Sequence, residues 1–126
     1  MHSAIPMTVA ALIAVGIIVI GCFYLVSPGR ISGSFGLRPP ASDGDTLAWL
    51  RLKGIRDIAS GLALATLMLT TDSRTTGIVL LVFAVIPLGD MANILVSGGR
   101  KVTAFSVHGA TCVVMVAAGL LSIHAI

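Results

Sequence analysis

Residues 6–26, from Pro6 to Val26, read PMTVAALIAVGIIVIGCFYLV and contain no charged side chain. Crossing roughly 30 Å of hydrocarbon takes about 20 residues of helix, so this stretch is a membrane span by length and composition. Pro6 falls in its first turn, where the missing N–H costs nothing. Working outward, three further candidates follow. The second, about 46–70, is apolar only in its second half. The third, about 76–97, carries one acid, Asp90, and the fourth, about 102–125, carries His108.

The whole chain agrees with that reading. Of 126 residues, 56% are apolar and 10% charged, with mean hydropathy +1.05. Soluble domains average about 25% charged residues, so a water-facing surface is out of reach. The net charge of +3 is dispersed and aromatics make up 5%, which argues against nucleic acid as a partner. The expected fold is all-α: an integral membrane four-helix bundle of antiparallel, up-down topology, forming a single domain over residues 1–126, with the lipid bilayer as its surroundings. The two short connections, TDSRT and GGRK, make spans two to four antiparallel neighbours. The first loop, SPGRISGSFGLRPPASDGD, is irregular, and Asp43 or Asp45 can cap the second helix.

Lys and Arg in short loops set orientation. Arg30 and Arg38 lie in the first loop, with Arg51, Lys53 and Arg56 just beyond it; Arg100 and Lys101 lie in the third, whereas the second has only Arg74. Loops one and three are therefore expected in the cytoplasm, with both termini outside the inner membrane.

Antiparallel spans bring distant residues to one level. At 1.5 Å per residue, Asp57, Asp90 and His108 fall at similar depth in the half of the membrane nearest loops one and three. Arg51, Lys53, Arg56, Ser60, Asn93, Ser106 and Thr111 occupy neighbouring levels. Lys53 and Asp57 are i,i+4 and share a helix face, as do Arg56 and Ser60. Pro87, one turn before Asp90, is expected to bend the third helix and free a carbonyl. Ionisable groups at membrane depth are costly and face the bundle interior. Two acids, several bases, an imidazole and an amide suit acid–base work on a bound molecule better than simple register pinning.

At these residues the chain resembles a family of small four-span membrane proteins of bacteria and fungi, filed as a domain of unknown function. The resemblance rests on RLKGIRD (Arg51 to Asp57) with Ser60-Gly61-Leu62, on PLGD (Pro87 to Asp90), on HGAT (His108 to Thr111) and on GLRP (Gly36 to Pro39). The layout is also similar to that of DoxX-like membrane proteins. The resemblance implies a compact bundle with polar residues in spans two to four, and fungal relatives suggest a lipophilic small-molecule substrate.

No metal-ligand spacing is convincing: His108 and His124 sit at opposite ends of one helix and His2 is terminal. Neither a metal nor a cofactor is called for. The expected activity is acid–base chemistry on a lipophilic small molecule, epoxide hydrolysis first or a related isomerisation. Asp90 would serve as base with Asn93 positioning water, Asp57 as acid, Arg56 as the bridge between them, and His108 as an exchangeable partner. Arg51, Lys53, Ser60 and Thr111 would contact substrate. The alternative is a structural or proton- or solute-pathway subunit, or a homo-oligomer, whose polar layer only pins helix packing. Gly16, Gly21, Gly109 and Gly119 would then offer small faces to neighbouring helices.

Overall fold

The structure, a computed structural model, describes residues 4–124. His2 and Ala125, the last residue of the expected fourth span, lie outside the described residues. The chain is all-α, with no strand among the described residues. Its elements are α1 (Ala4–Val26), α2 (Pro28–Ser32), α3 (Gly44–Thr70), α4 (Ser73–Phe83), α5 (Val85–Val96), α6 (Lys101–Thr103), a π-helical turn (Ala104–Gly109) and α7 (Ala110–His124).

Three helical stretches are long and apolar enough to cross a membrane: Ala4–Val26, Ser73–Val96 and Lys101–His124. At 23 or 24 residues each reaches about 35 Å. The helix α3 is as long, but Arg51, Lys53, Arg56 and Asp57 crowd its first half. Outward-facing side chains are aliphatic: Leu69 is 87% exposed, Val96 89% and Val26 81%. So much apolar exposure on one small protein marks a surface made for lipid.

Carboxylates start two of the helices. Asp43, not Asp45, caps α3, accepting from the Thr46 N–H at 2.9 Å and its hydroxyl at 2.7 Å. Asp72 caps α4 in the same way through Thr75, both bonds 2.9 Å. The third expected span forms, interrupted at Ala84. The cause is Pro87: it has no N–H for the Phe83 carbonyl, so the ladder is broken there.

The helices close on one another through glycine. A Cβ on Gly54 would lie 2.7 Å from the Gly21 carbonyl oxygen, and one on Gly61 2.7 Å from that of Ala14. Between α4 and α7, a Cβ on Gly77 would lie 2.7 Å from the Gly119 oxygen. Without a hydrophobic drive between helices in lipid, such close backbone approach is what supplies packing energy. A core of Ala10, Ala14, Leu64, Leu80, Ala84, Met115 and Ala118 sits where α1, α3, α4 and α7 meet.

At the other end, loop one is tied to loop three. Gly36 has φ +110°, and its carbonyl accepts from the Arg100 N–H at 2.8 Å. The Arg100 guanidinium donates to the Gly33 carbonyl at 3.0 Å. A Cβ on Gly99 would lie 2.6 Å from the Gly36 oxygen, so both glycines are needed for the two loops to meet. That knot fixes Phe35, the residue before Gly36, beside Lys53 of α3 and His108 of the π-helical turn.

Candidate functional site

Beneath Phe35 lies a cavity of about 330 Å³, within the usual range of small-molecule sites. Its walls come from α1 (Leu12, Ile13, Gly16, Ile17, Ile20, Tyr24), loop one (Ile31, Ser34, Phe35) and α3 (Lys53, Asp57, Ser60, Leu64). The α4–α5 segment adds Phe83, Ile86, Pro87 and Asp90. The π-helical turn and α7 add Val107, His108, Thr111 and Met115. Most of that lining is apolar. The polar groups gather at the end nearest loop one.

Two ion pairs define that polar end. The Lys53 Nζ lies 2.6 Å from Asp57 Oδ2, the i,i+4 neighbour on the same face of α3. Asp57 is 8% exposed. The ammonium also stands 4.6 Å from the centre of the Tyr24 ring and 5.5 Å from that of Phe35, an aromatic cradle for a cation. Across the cavity, His108 Nδ1 lies 3.6 Å from Asp90 Oδ2. The other ring nitrogen, Nε2, is 3.0 Å from the Phe35 carbonyl oxygen, and the two rings are 4.7 Å apart.

That last contact fixes a tautomer. A carbonyl only accepts, so Nε2 carries the hydrogen. Nδ1, the basic nitrogen of that tautomer, then faces the Asp90 carboxyl at 3.6 Å, so an acid and a base stand side by side at the cavity wall.

The ring is aimed by the backbone. Through Ala104–Gly109 the ladder shifts to i→i+5, with the Ala110 N–H reaching the Phe105 carbonyl. Such π-turns change the direction of the side chains they carry and are frequent at functional sites. Thr111 and Ser60 line the cavity with their hydroxyls donated to their own helices, Thr111 to the Val107 carbonyl at 2.7 Å and Ser60 to that of Arg56 at 2.9 Å.

The family described as a domain of unknown function, DUF4267, matches residues 14–122, which take in RLKGIRD, PLGD and HGAT. The chain belongs to the DUF4267 family. Among curated proteins and solved structures, no match to the chain is found.

Six of the residues expected at a site in this DUF4267 protein line one cavity: Lys53, Asp57, Ser60, Asp90, His108 and Thr111. Three do not. Arg51 and Arg56 are exposed, and neither lines the cavity. The buried face of α3 runs through Gly54, Asp57, Gly61 and Leu64, and Arg56, about 100° round from Asp57, is carried out to the flank. It bridges no acids; Lys53 partners Asp57 instead. Asn93 is exposed too, its side-chain oxygen 3.5 Å from the Ser97 hydroxyl. Ile94, fully buried, takes the inward position one turn after Asp90. Three aromatic residues of the cavity, Tyr24, Phe35 and Phe83, carry no sequence signal for the site. Tyr24 and Phe83 lie in uniformly apolar runs, and Phe35 belongs to an irregular loop without periodicity.

Among the described residues, no three His, Cys, Asp or Glu side chains converge as a metal site would require.

Proposed function

We propose that this protein is a small membrane enzyme that performs acid–base chemistry on a lipophilic molecule. Its four long segments would form an antiparallel bundle, and α3 would be the fourth span, its charged half lying toward the headgroups. Loops one and three would face the cytoplasm. Their shared cluster of Arg30, Arg38, Arg100 and Lys101, against Arg74 alone at the other end, supports that orientation in a plasma or inner membrane. Both termini would then lie outside. The cavity is lined by residues of one chain, and a homo-oligomer is compatible with this reading.

The observation that carries the reading is the pairing of unlike groups in an otherwise apolar chamber. Asp57 stands against an ammonium, which suits a carboxylate acting as base; Asp90 beside the His108 imidazole makes a pair able to deliver a proton, which suits an acid. Epoxide hydrolysis uses both. Water attacks a ring carbon as its proton passes to Asp57, the carbon–oxygen bond breaks, and the departing oxygen takes the proton from Asp90–His108. The product is a diol, and the proton returns from Asp57 to the pair through solvent. These roles reverse those expected for the two acids, because Lys53 rather than Arg56 meets Asp57. Without Asn93 in the cavity, the attacking water would be oriented by Asp57 and Ser60.

The test is diol formation from dodecene oxide in heavy-oxygen water by the protein in phosphatidylcholine nanodiscs. Asp57→Asn and Asp90→Asn should each lose at least about 100-fold in rate, while Arg56→Gln and Asn93→Ala keep wild-type activity. Folded Asn variants with undiminished rates would remove the assignment, and so would a wild-type protein that leaves the epoxide untouched.

A second reading has one observation in its favour: every charged group at the polar end already has a partner within the fold. On that reading the layer pins helix register in a structural or proton-pathway subunit. Unchanged epoxide together with lowered melting temperature in both Asn variants would favour it.

A further inference from the structure

We propose that the cavity selects an uncharged, single-tailed lipophile, and that Gly16 makes the room for its tail. The proposal deepens the reading above by naming the ligand class, and it rests on the same cavity without requiring turnover.

The head group follows from charge. At the polar end, Lys53 and Asp57 cancel at 2.6 Å. Asp90 faces the His108 ring, with Nδ1 and a carboxyl oxygen 3.6 Å apart, so an acidic and a basic group stand together there as well. The remaining cations nearby, Arg51 and Arg56, turn outward. A carboxylate or ammonium head would enter with no opposite charge free to meet it, at the full cost of desolvating an ion. An alcohol, epoxide or carbonyl oxygen can hydrogen-bond at this polar end and needs no counter-charge.

The tail follows from packing. On α1, Gly21 is closed against α3, whereas a Cβ built on Gly16 meets nothing within 4 Å. Gly16 nevertheless lines the cavity, together with its α1 neighbours Ile13 and Ile17. Its missing side chain is therefore open space inside the chamber rather than a close helix contact. A leucine there would start into open space and extend into the tail's place.

The experiment offers an equimolar mixture of dodecanol, dodecene oxide, dodecanoate and dodecylammonium to the protein in phosphatidylcholine nanodiscs, and counts bound copies by native mass spectrometry. The alcohol and epoxide should be retained at least about tenfold over both ions. Gly16→Leu should abolish retention of all four at an unchanged melting temperature. Asp57→Asn leaves Lys53 uncompensated and should shift preference toward dodecanoate; Lys53→Met leaves Asp57 uncompensated and should shift it toward dodecylammonium. Preference for either ion by the wild type, or undiminished retention by a folded Gly16→Leu variant, overturns the proposal. Neutral-head binding without any turnover would defeat the enzymatic reading alone; turnover without head-group preference would defeat this one alone.

Discussion

The α1–α3 seam and the chamber beside it share two helices, yet one is closed by backbone contact and the other is open space. Gly21 and Gly16 show how. They stand five positions apart on α1, so they point about 140° away from one another. Gly21 meets the Gly54 carbonyl at a distance no Cβ could occupy; Gly16 looks into free space. The same residue type thus serves adhesion at one position and vacancy at the other. What decides between them is the direction of the helix face, not the amino acid.

Substitution at the two sites should separate those roles most sharply. A Leu at Gly54 must push α1 away from α3, because the nearest obstacles are the Gly21 oxygen at 2.7 Å and the Tyr24 Cβ at 2.8 Å. Overpacking of that kind costs about 3 kcal/mol or more when backbone has to move. Gly54→Leu is expected to lose most of its cooperative thermal transition, whereas Gly16→Leu should change stability by about 0.5 kcal/mol or less. Equal damage from both would mean the chamber is as tightly filled as the seam.

The polar end of the chamber can be broken more gently. Removing one partner of a half-buried ion pair leaves the other unpaired, which costs about 1–2 kcal/mol. Lys53→Met and Asp57→Leu should each destabilise by that amount, and the double variant should recover at least half of the summed loss, since two apolar side chains replace a matched pair. Strictly additive losses in a double-mutant cycle would show that the 2.6 Å contact contributes nothing.

How far the sequence revealed this arrangement depends on which interaction decides each feature. Hydropathy and span length alone made the long helices legible, because lipid imposes them on any apolar run of that length. Span length and antiparallel order also suffice to bring Asp57, Asp90 and His108 toward one level, and the three line one cavity. Rotation about the helix axis was harder. In RLKGIRD the four charged positions spread around the helix, so periodicity offers no single inward direction, and it took the glycine contacts of Gly54 and Gly61 to turn Asp57 in and Arg56 out. Phe35 and the π-helical turn were illegible for a different reason. Both depend on contacts between loop one and loop three, such as Gly36 with Arg100 across 64 positions of chain, and no local pattern encodes a contact of that range.

The smallest expected effect divides the closed half of the molecule from the open half by acid. Asp43 caps α3 near the chamber, and Asp72 caps α4 at the opposite end. Hydrogen bonds from Thr46, its hydroxyl first, hold the Asp43 carboxyl below the ordinary range; those from Thr75, its backbone N–H first, do the same for Asp72. A carboxyl whose folded-state value is depressed contributes stability above its unfolded value, about 3.9, and loses that contribution as pH falls through the folded value. Both groups are fully exposed, so each effect is modest and weakened by salt. Asp72→Ala should therefore melt slightly below the wild type at neutral pH and converge with it in acid, with dodecanol retention unchanged, because the cap belongs to the α4–α7 seam. Asp43→Ala should show the same acid convergence with reduced retention, because the start of α3 carries Lys53 and Asp57 into the chamber. A gap between Asp72→Ala and the wild type that persists undiminished at low pH would mean the cap acts through packing rather than charge. Loss of dodecanol in Asp72→Ala would mean the two halves are mechanically one.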